Sequence, residues 1–433
     1  MGPQLNASLC GELLDLENKI IKNSDLVEHW FREMFLSNPP PFYSSVDLRN
    51  SCFKISPIDT NLFPAGFNNI GEKDRRCVVQ AFMAAIERNC SHVKKVMLIP
   101  ESHTRNKFYL AHLGHLFTLL SNAGLNVRIG SFNADFYNLK SIYFNSFDNL
   151  PAFFSVHQIK RQNDQLYISE EKDFIPDLIL LNNDFSKGVP ENLLNLNNQL
   201  VLPTLNSSWS SRRKSNHFKE FDKTAKEFSK IFKSDDWLIS PFTKSCSKVN
   251  FKTKEGESCL ADYASELIIK VKRKYKEYKI NKTPFIVIKA DAGTYGMGVM
   301  TIRDPSEIFA LNNRQRNKMS KAKEGVLVNN VLVQEGVYSF ETVVSSNLVS
   351  VAEPVVYLVD KYTVGGFYRI HSERGLDENL NSPGMQFYPL AFEESCQSPT
   401  SSLDPKSSTN RLYFYSVIAR LASLSASKEI RKK

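Results

Sequence analysis

The chain contains 433 residues, of which 42% are hydrophobic and 23% charged, and its formal net charge is +9. This balance is typical of a folded enzyme and excludes a disordered chain, while the length predicts two or three lobes around a cleft. No stretch approaches the ~18 uncharged apolar residues of a membrane span, and the polar breaks from Met1 to Ile20 predict no signal peptide.

The cysteines and the basic residues are scattered along the chain. The seven cysteines form no Cys-x-x-Cys pair and lack zinc-site spacing, which suggests free thiols in a reducing cytoplasm. The densest basic run, Lys270 to Lys279, mixes Lys and Arg with Tyr and Glu at helical spacing. That pattern favours a solvated helix face over a nucleic-acid patch, so we expect neither nucleic acid nor a membrane as partner.

The N-terminal half predicts helices separated by short strands. Residues 11–35 have the spacing of an amphipathic helix, whereas the Asp, Asn, Pro and Gly content of residues 46–71 predicts a loop. Helical spacing returns at 78–86 and 107–123. Three apolar runs predict strands at 96–99, 125–129 and 177–181. This alternation predicts an α/β domain with a largely parallel sheet.

The C-terminal half predicts two long helices followed by strands. Amphipathic helices are expected over 215–232 and 258–278, and a strand-rich region from about 284 to 391. Residues 395–409 are rich in Ser, Pro and Thr and predict an exposed loop, after which a final helix is expected near 410–430.

A strand lysine followed by glycines is the most informative motif. The run Phe-Ile-Val-Ile-Lys-Ala-Asp-Ala-Gly-Thr-Tyr-Gly-Met-Gly-Val carries Lys289 into a glycine-rich loop. Glycines let backbone N–H groups approach phosphate oxygens, and a lysine ammonium neutralises phosphate charge. The loop is neither a Walker motif nor a dinucleotide fingerprint, because no Gly-Lys-Ser/Thr closes it and a strand follows it. The alternative is a glycine hairpin that binds no ligand.

Two further segments carry polar groups after strands. The apolar run 331–337 ends in Gln-Glu-Gly-Val, which suits either a hinge lining an adenine pocket or an ordinary edge strand. Residues 365–384 crowd two arginines, acids and asparagines before Pro-Gly. Carboxylate and amide oxygens suit Mg²⁺, and Arg369 and Arg374 offer paired donors to phosphoryl oxygens. A solvated loop is the alternative for this segment.

The order of strand lysine, glycine loop, hinge and acid/Asn cluster resembles the ATP-grasp fold. More narrowly, the run from Lys289 together with segments 57–69, 100–106 and 365–384 resembles the proteobacterial glutamate–cysteine ligase family. The resemblance covers about residues 45–392 and implies α/β architecture with α+β lobes, ATP-grasp-like in its nucleotide-binding part. Four parts follow from it: an N-terminal helical extension (1–44), an α/β substrate-binding domain (45–245), an ATP-grasp-like nucleotide-binding and catalytic region (246–392), and a Ser-rich loop with the C-terminal helix (393–433).

The resemblance implies an ATP-dependent ligase that joins the γ-carboxylate of L-glutamate to the amine of L-cysteine through a γ-glutamyl phosphate, the first step of glutathione biosynthesis. ATP is the implied co-substrate and Mg²⁺, or Mn²⁺, the implied cofactor. Two alternatives stay open: a carboxylate–amine ligase for another amino acid pair, and a non-catalytic nucleotide- or nucleic-acid-binding protein. The oligomeric state is also open, with a homo-oligomer among the options.

The resemblance also assigns candidate site residues. The catalytic candidates are Lys289, Arg369 and Arg374, and the ATP-binding candidates are Lys289, Gly293, Gly296, Gly298, Gln334, Glu335 and Val337. The metal-ligand candidates, which fit no unique register, are Glu378, Asn379, Asn381, Asp360 and Glu353. For the amino acid substrate we expect Asp59 and Asn61 at an amino group, Arg105 and Asn106 at a carboxylate, and Arg212 and Arg213 as further anion contacts. A turn or surface role is the alternative for each of these six.

Overall fold

A computed structural model describes residues 4–432, apart from 140, 294–296, 322–324, 326, 346–347 and 391–407. Its helices in the described residues are α1 (Gly11–Lys22), α2 (Ser24–Ser37), α3 (Arg75–Cys90), α4 (Lys107–Asn122), α5 (Ala134–Tyr137), α6 (Lys214–Ile231), α7 (Glu257–Glu277), α8 (Asn313–Met319) and α9 (Ser408–Arg431). Among these helices none has the length and apolar character that a membrane crossing requires.

The described strands form four sheets. Strands of the first half are β1 (Gln4–Asn6), β2 (Tyr43–Asn50), β3 (Ile55–Asn61), β4 (Lys95–Pro100), β5 (Asn126–Ser131), β6 (Ile142–Asn145), β7 (Pro151–Phe154), β8 (Val156–Gln162), β9 (Gln165–Ile168), β10 (Leu178–Asn182) and β11 (Leu200–Leu202). Strands of the second half are β12 (Thr243–Ser247), β13 (Ile286–Ala290), β14 (Val299–Ile302), β15 (Asn330–Glu335), β16 (Thr342–Ser345), β17 (Leu348–Val359), β18 (Tyr362–His371) and β19 (Gln386–Pro389).

A six-stranded sheet in the order β11-β10-β4-β5-β8-β9 forms the N-terminal lobe. Every neighbouring pair is parallel except β8 and β9, which confirms the predicted largely parallel sheet. All five residues of β10 are buried. Strands covered on both faces need apolar side chains at every position, which is why these runs show no alternation in the sequence.

A seven-stranded antiparallel sheet lies at the centre of the molecule. β17 pairs with β16 and β2 along one edge and with β18 along the other. One face carries Val46 and Leu48 into a core shared with α1, α2, α6 and α9. The opposite face divides into two zones: Val355 and Phe367 pack under α3 and α4, while the charged residues beyond them face a cleft. This sheet therefore forms a floor for that cleft.

A four-stranded antiparallel sheet, in the order β12-β15-β13-β14, covers the cleft from the other side, and α7 packs on its outer face. The cleft is lined from β2, β3, β17 and β18 below and from β13, β14 and β15 above. Two antiparallel sheets that enclose a cleft of this kind give the ATP-grasp-like α/β fold that was predicted.

Helix α9 is buried along almost its whole length, from Arg411 to Ser427. Its charged side chains are paired: Arg411 Nε lies 2.6 Å from Glu17 Oε1, and Arg420 Nη1 lies 2.7 Å from Glu28 Oε2. Both members of the Arg411–Glu17 pair are buried, and removing one of them costs on the order of 3–5 kcal/mol, because the other charge is left without compensation. The N-terminal helices are thus part of the central core, although the sequence analysis placed residues 1–44 outside the main lobes.

Two sequence predictions are wrong in this part of the chain. Residues 46–71 contain most of β2 and all of β3 rather than a loop, and the predicted helix over 11–35 is two helices that separate at Asn23. The polar composition gave a wrong prediction because β2 and β3 belong to the central sheet, where Arg49 and Asp59 pair with residues distant in sequence. β2, assigned to the first α/β part, pairs with β17 of the catalytic part, so the central sheet crosses the predicted boundaries.

Candidate functional site

A cleft lies between the two antiparallel sheets and is lined by residues of both. Many of the predicted site residues meet there although they come from distant parts of the chain. Those that line it are Asp59, Lys289, Gly293, Gln334, Glu335, Val337, Glu353, Arg369, Glu378, Asn379 and Asn381. The structure thus gathers the strand lysine, the hinge, one arginine and the acid/Asn cluster around a single cavity.

Lys289 projects from the upper sheet, where β13 pairs with both β14 and β15. Its ammonium donates a hydrogen bond of 2.7 Å to the carbonyl of Ile58 on β3. Burial lowers the Lys289 pKa to about 7; nearby Asp59 opposes the shift, and Lys214 adds to it. The side chain is half-buried, whereas a lysine at the end of a strand was expected to be exposed. A bound anion would therefore stabilise its charged form.

The glycine loop after β13 is held at its base by Asp291. That carboxylate accepts hydrogen bonds from the backbone N–H and the hydroxyl of Ser215, at 2.7 and 2.8 Å, at the start of α6. Gly293 and Gly298 have φ of 113° and 63°, the left-handed region that side chains disfavour. Gly296 lies outside the described residues. Gly298 adjoins the cleft lining without belonging to it.

The residues predicted as a hinge, Gln334 to Val337, lie at the end of β15 and just beyond it. Gln334 is buried, and within the described residues its amide nitrogen has no hydrogen-bond partner, so a donor is available at the cleft wall. The Glu335 carboxylate is engaged inside the protein, where it accepts from the Trp237 indole N–H and the Phe242 N–H, both at 2.9 Å. Glu335 therefore lines the cleft, but its carboxylate already has hydrogen-bond donors inside the protein.

A row of charges crosses the floor of the cleft. Arg49 Nε donates to Glu353 Oε1 at 2.6 Å, and Arg369 Nη1 lies 2.9 Å from Asp47 Oδ2 and 3.4 Å from Glu353 Oε2. Glu353 and Arg369 are register partners on β17 and β18, so their side chains lie side by side on one face of the sheet. Arg369 Nε is buried and has no partner in the described part of the chain, so one guanidinium edge remains for a ligand.

Asp59 and Lys214 form an ion pair at the side of the cleft, 2.5 Å apart. Although burial opposes it, the positive charges of Lys214 and Lys289 hold the Asp59 pKa below its ordinary value. An ionised carboxylate beside two amines suits recognition of an amino acid, since such a substrate carries both charges.

The loop after β18 presents oxygen donors to the same cavity. Asp377, Glu378, Asn379 and Asn381 line it, and the Glu378 carbonyl accepts from Arg49 Nη2. Among the residues that the structure describes, no three His, Cys, Asp or Glu side chains form a preformed cage. The Glu378 carboxylate also accepts from Arg374 and from the Gly375 N–H, but unlike Glu353 it is partly exposed, and its oxygens keep further lone pairs. Mg²⁺ needs only one or two protein carboxylates when phosphates supply its other ligands, so this donor set fits it.

Two of the metal-ligand candidates need correction. Asp360 lies at the turn between β17 and β18, where its carboxylate pairs with Arg88 of α3 at 2.6 Å, and it does not line the cleft. Glu353 does line the cleft, but both of its oxygens already face arginine partners. These two carboxylates balance protein charges, and the loop after β18 is left as the metal-binding candidate.

Arg374 and most of the substrate candidates also lie elsewhere. Arg374 is partly exposed and pairs with Glu378 at 3.3 Å outside the cleft lining. Arg212 is fully buried against Glu429, and Arg213 donates to the carbonyls at the start of α6. We therefore withdraw these three arginines as ligand contacts, because each has structural partners.

The remaining substrate candidates behave as the turn and surface alternatives described. Asn61 Oδ1 accepts from the Phe63 N–H within its own turn, and Asn106 caps α4 by accepting from the N–H groups of Phe108 and Tyr109. Arg105 is exposed and outside the cleft lining. Of the six substrate candidates, Asp59 alone lines the cavity. Arg212 is held by the buried Glu429, and the other four serve local backbone geometry or lie at the surface.

Sequence reasoning missed two lining residues of β2, Asp47 and Arg49. A signal for them existed: Val46 and Leu48 alternate with Asp47 and Arg49, which is the period of a strand with one apolar face.

Known proteins resemble the chain over nearly all of its length. The model of the family "GshA: Glutamate-cysteine ligase" matches residues 17–430. A crystal structure named "Putative gamma-glutamylcysteine synthetase", from Methylobacillus flagellatus KT, is 44% identical with a TM-score of 0.88, over 100% of this chain and 99% of that chain. D-alanyl-alanine synthetase A from Vibrio cholerae O1 biovar eltor str. N16961 covers 76% of this chain and 81% of its own at 11% identity, and its TM-score of 0.28 supports no argument. No curated protein matches the chain in sequence.

The Lys289 pKa predicts proton uptake when ATP binds. At pH 8 a lysine with a pKa of about 7 is mostly neutral, and phosphate oxygens beside it should raise that pKa, so binding should take up somewhat less than one proton. Calorimetry in buffers of different ionisation enthalpy measures this uptake. Lys289→Met is the matched control and should lose it, whereas equal uptake by both proteins would show that Lys289 does not meet the phosphates.

Proposed function

The chain belongs to the glutamate–cysteine ligase family, and we propose that its cleft joins the γ-carboxylate of L-glutamate to the amine of L-cysteine. In the first step the carboxylate attacks the terminal phosphorus of ATP, giving γ-glutamyl phosphate and ADP. In the second step the cysteine amine attacks the acyl carbon, an amide forms, and phosphate leaves. As a family member the chain is an ATP-dependent carboxylate–amine ligase.

The observation that carries the proposal is that two cationic side chains line one cavity from opposite sheets, each with donors left for a ligand. Lys289 projects from the upper sheet and uses one N–H on Ile58, and Arg369 lies in the floor, where its Nε has no partner among the described residues. A phosphoryl group between them would meet positive charge on both sides. Both groups are already held by the protein, so little reorganisation is needed as negative charge shifts during transfer.

We assign the nucleotide by the same geometry. The phosphates would lie near Lys289 and the glycine loop, and the adenine against Gln334 and Val337. Glu378 and Asn379 would hold Mg²⁺, or Mn²⁺, beside the phosphates. When bound, such an ion neutralises phosphate charge and helps align the terminal group.

For the amino acid we propose that Asp59 receives the ammonium of glutamate, beside Lys214 and opposite the nucleotide. In the described residues no cysteine side chain lines the cleft. This supports a mechanism in which the nucleophile is the amine of the substrate cysteine and not a protein thiol. The chain's own groups bind, orient and offset charge, which is the main catalytic contribution in phosphoryl transfer.

We further propose that the reaction takes place in the cytoplasm and involves small molecules alone. The six described cysteines are free thiols, as in a reducing compartment. The substrates ATP, L-glutamate and L-cysteine need no macromolecular partner, and homo-oligomerisation stays an open expectation.

A panel of amino acids tests the proposed function. The protein is incubated with ATP, Mg²⁺ and amino acids singly and in pairs, and ADP release and product mass are measured. Rapid ADP release is expected only with glutamate and cysteine together, and the product should co-elute with authentic γ-glutamylcysteine. Faster release with another pair would favour a different carboxylate–amine ligase. Absence of ADP release with every pair, together with salt-sensitive nucleic-acid binding, would favour the non-catalytic alternative.

Arg369→Lys tests the phosphoryl contact. Lysine keeps the charge but cannot offer paired donors to the phosphoryl oxygens while also reaching Asp47. We expect kcat to fall on the order of 10²–10³-fold and the KM for ATP to change only a few-fold, since the contact forms mainly in the transition state. Steady-state kinetics with saturating amino acids measures both constants.

Arg105→Lys is the matched control, because Arg105 is an exposed arginine that lies outside the cleft lining. Its kcat should stay within about twofold of wild type, as for a solvated side chain. Wild-type turnover by Arg369→Lys, or equal losses in the two variants, would contradict this placement of the phosphoryl group.

A further inference from the structure

A fully buried lysine lies behind the hinge, at the turn between β2 and β3. Lys54 is only 1% exposed, and its ammonium donates to the carbonyls of Trp237 and Ser240 at 2.5 and 2.8 Å and to Glu335 Oε2 at 3.2 Å. The same ammonium lies 4.3 Å from the centre of the Trp237 ring. All three N–H donors of the ammonium thus have acceptors, which a buried charge requires.

The Glu335 carboxylate is the other centre of this cluster. It accepts from Lys54 as well as from the Trp237 and Phe242 N–H groups, so it joins the β2–β3 turn, the segment 237–242 and the end of β15. A shift of any of these three segments would leave a buried charge with too few partners. Because a buried charge without partners would destabilise the fold, the end of β15 is held in a fixed position.

We propose that Lys54 is a positioning residue for the adenine end of the nucleotide, acting through Glu335 without touching the ligand. Lys54 is not among the residues that line the cleft, whereas Gln334, Glu335 and Val337 are. Arg49, from the same hairpin, donates to the Val337 carbonyl at 3.1 Å, so β2 and its turn hold the hinge on both sides of Gly336. The inference rests on the proposed binding of ATP with its adenine at this hinge.

The phosphate end is held by separate contacts. Lys289 bonds to Ile58, and Asp291 fixes the base of the glycine loop to Ser215. Neither contact includes Lys54 or Glu335. Loss of Lys54 should therefore weaken recognition of the nucleoside and leave recognition of phosphates intact, a split that general destabilisation would not produce.

Lys54→Met tests the proposal through two binding constants, those for ATP and for inorganic tripolyphosphate, measured by calorimetry on the full chain. We expect the Kd for ATP to rise on the order of tenfold, because a displaced hinge loses its fit to adenine. The Kd for tripolyphosphate should stay within about twofold, because its contacts do not depend on Lys54. These equilibrium measurements require no turnover, so a wild-type protein that binds ATP but fails to ligate glutamate and cysteine would refute the proposed function alone.

A second variant distinguishes a displaced hinge from loss of folding. It is needed because Lys54→Met leaves the buried Glu335 charge uncompensated. Lys54→Met combined with Glu335→Gln removes both charges and keeps an acceptor for Trp237, and it should show the same loss confined to ATP. Arg411→Met is the control: it breaks the buried pair with Glu17, and should lower the melting temperature with both Kd values unchanged. Wild-type ATP affinity in the folded Lys54 variants, or equal loss of ATP and tripolyphosphate, would overturn the proposal.

Discussion

The Arg49 guanidinium is the contact on which the cleft depends. Its Nε bonds to Glu353 on β17, its Nη1 to the carbonyl of Val337 in the hinge, and its Nη2 to the carbonyl of Glu378 in the loop after β18. These three partners belong to the floor of the cleft, to the segment after β15 of the upper sheet, and to the loop after β18. One buried planar cation thus fixes three segments whose relative positions local structure alone would not determine.

The charged side chains of the cleft are arranged so that a bound anion would balance the cationic groups among them. Arg49 and Arg369 share Glu353, while Lys289 is kept from full ionisation by burial and by neighbouring cations. Holding these cationic side chains in a partly desolvated cavity lowers the free energy of unfolding. A bound polyphosphate would offset that loss of stability. The same arrangement gives preorganised stabilisation during phosphoryl transfer, because the donors are in place before the reaction begins.

Local sequence was sufficient where function depends on consecutive residues. The strand lysine, the glycines and the hinge were predicted because each motif combines a strand with the residues that directly follow it. The β2–β3 hairpin was not, since its polar composition is that of a loop and its charges are satisfied only across the fold, as in the pair of Arg49 and Glu353.

The incorrect site assignments have the same cause. Asp360 and Arg212 look like ligand-binding residues in sequence, but their partners Arg88 and Glu429 are separated from them by more than 200 positions. Whether a buried charge serves a ligand or another residue is decided by such tertiary pairs. The sequence therefore predicted the α/β class better than it predicted which charged residues face the cavity.

The central claim is that ATP lies between the two antiparallel sheets, with its phosphates between Lys289 and Arg369. A crystal structure with Mg²⁺ and a non-hydrolysable ATP analogue tests this directly. The account predicts phosphate oxygens within hydrogen-bond distance of the Lys289 ammonium and the Arg369 guanidinium, and adenine against Gln334 and Val337. A nucleotide bound elsewhere, such as the groove beside Arg75 and Lys107, with this cleft empty of nucleotide, would contradict it.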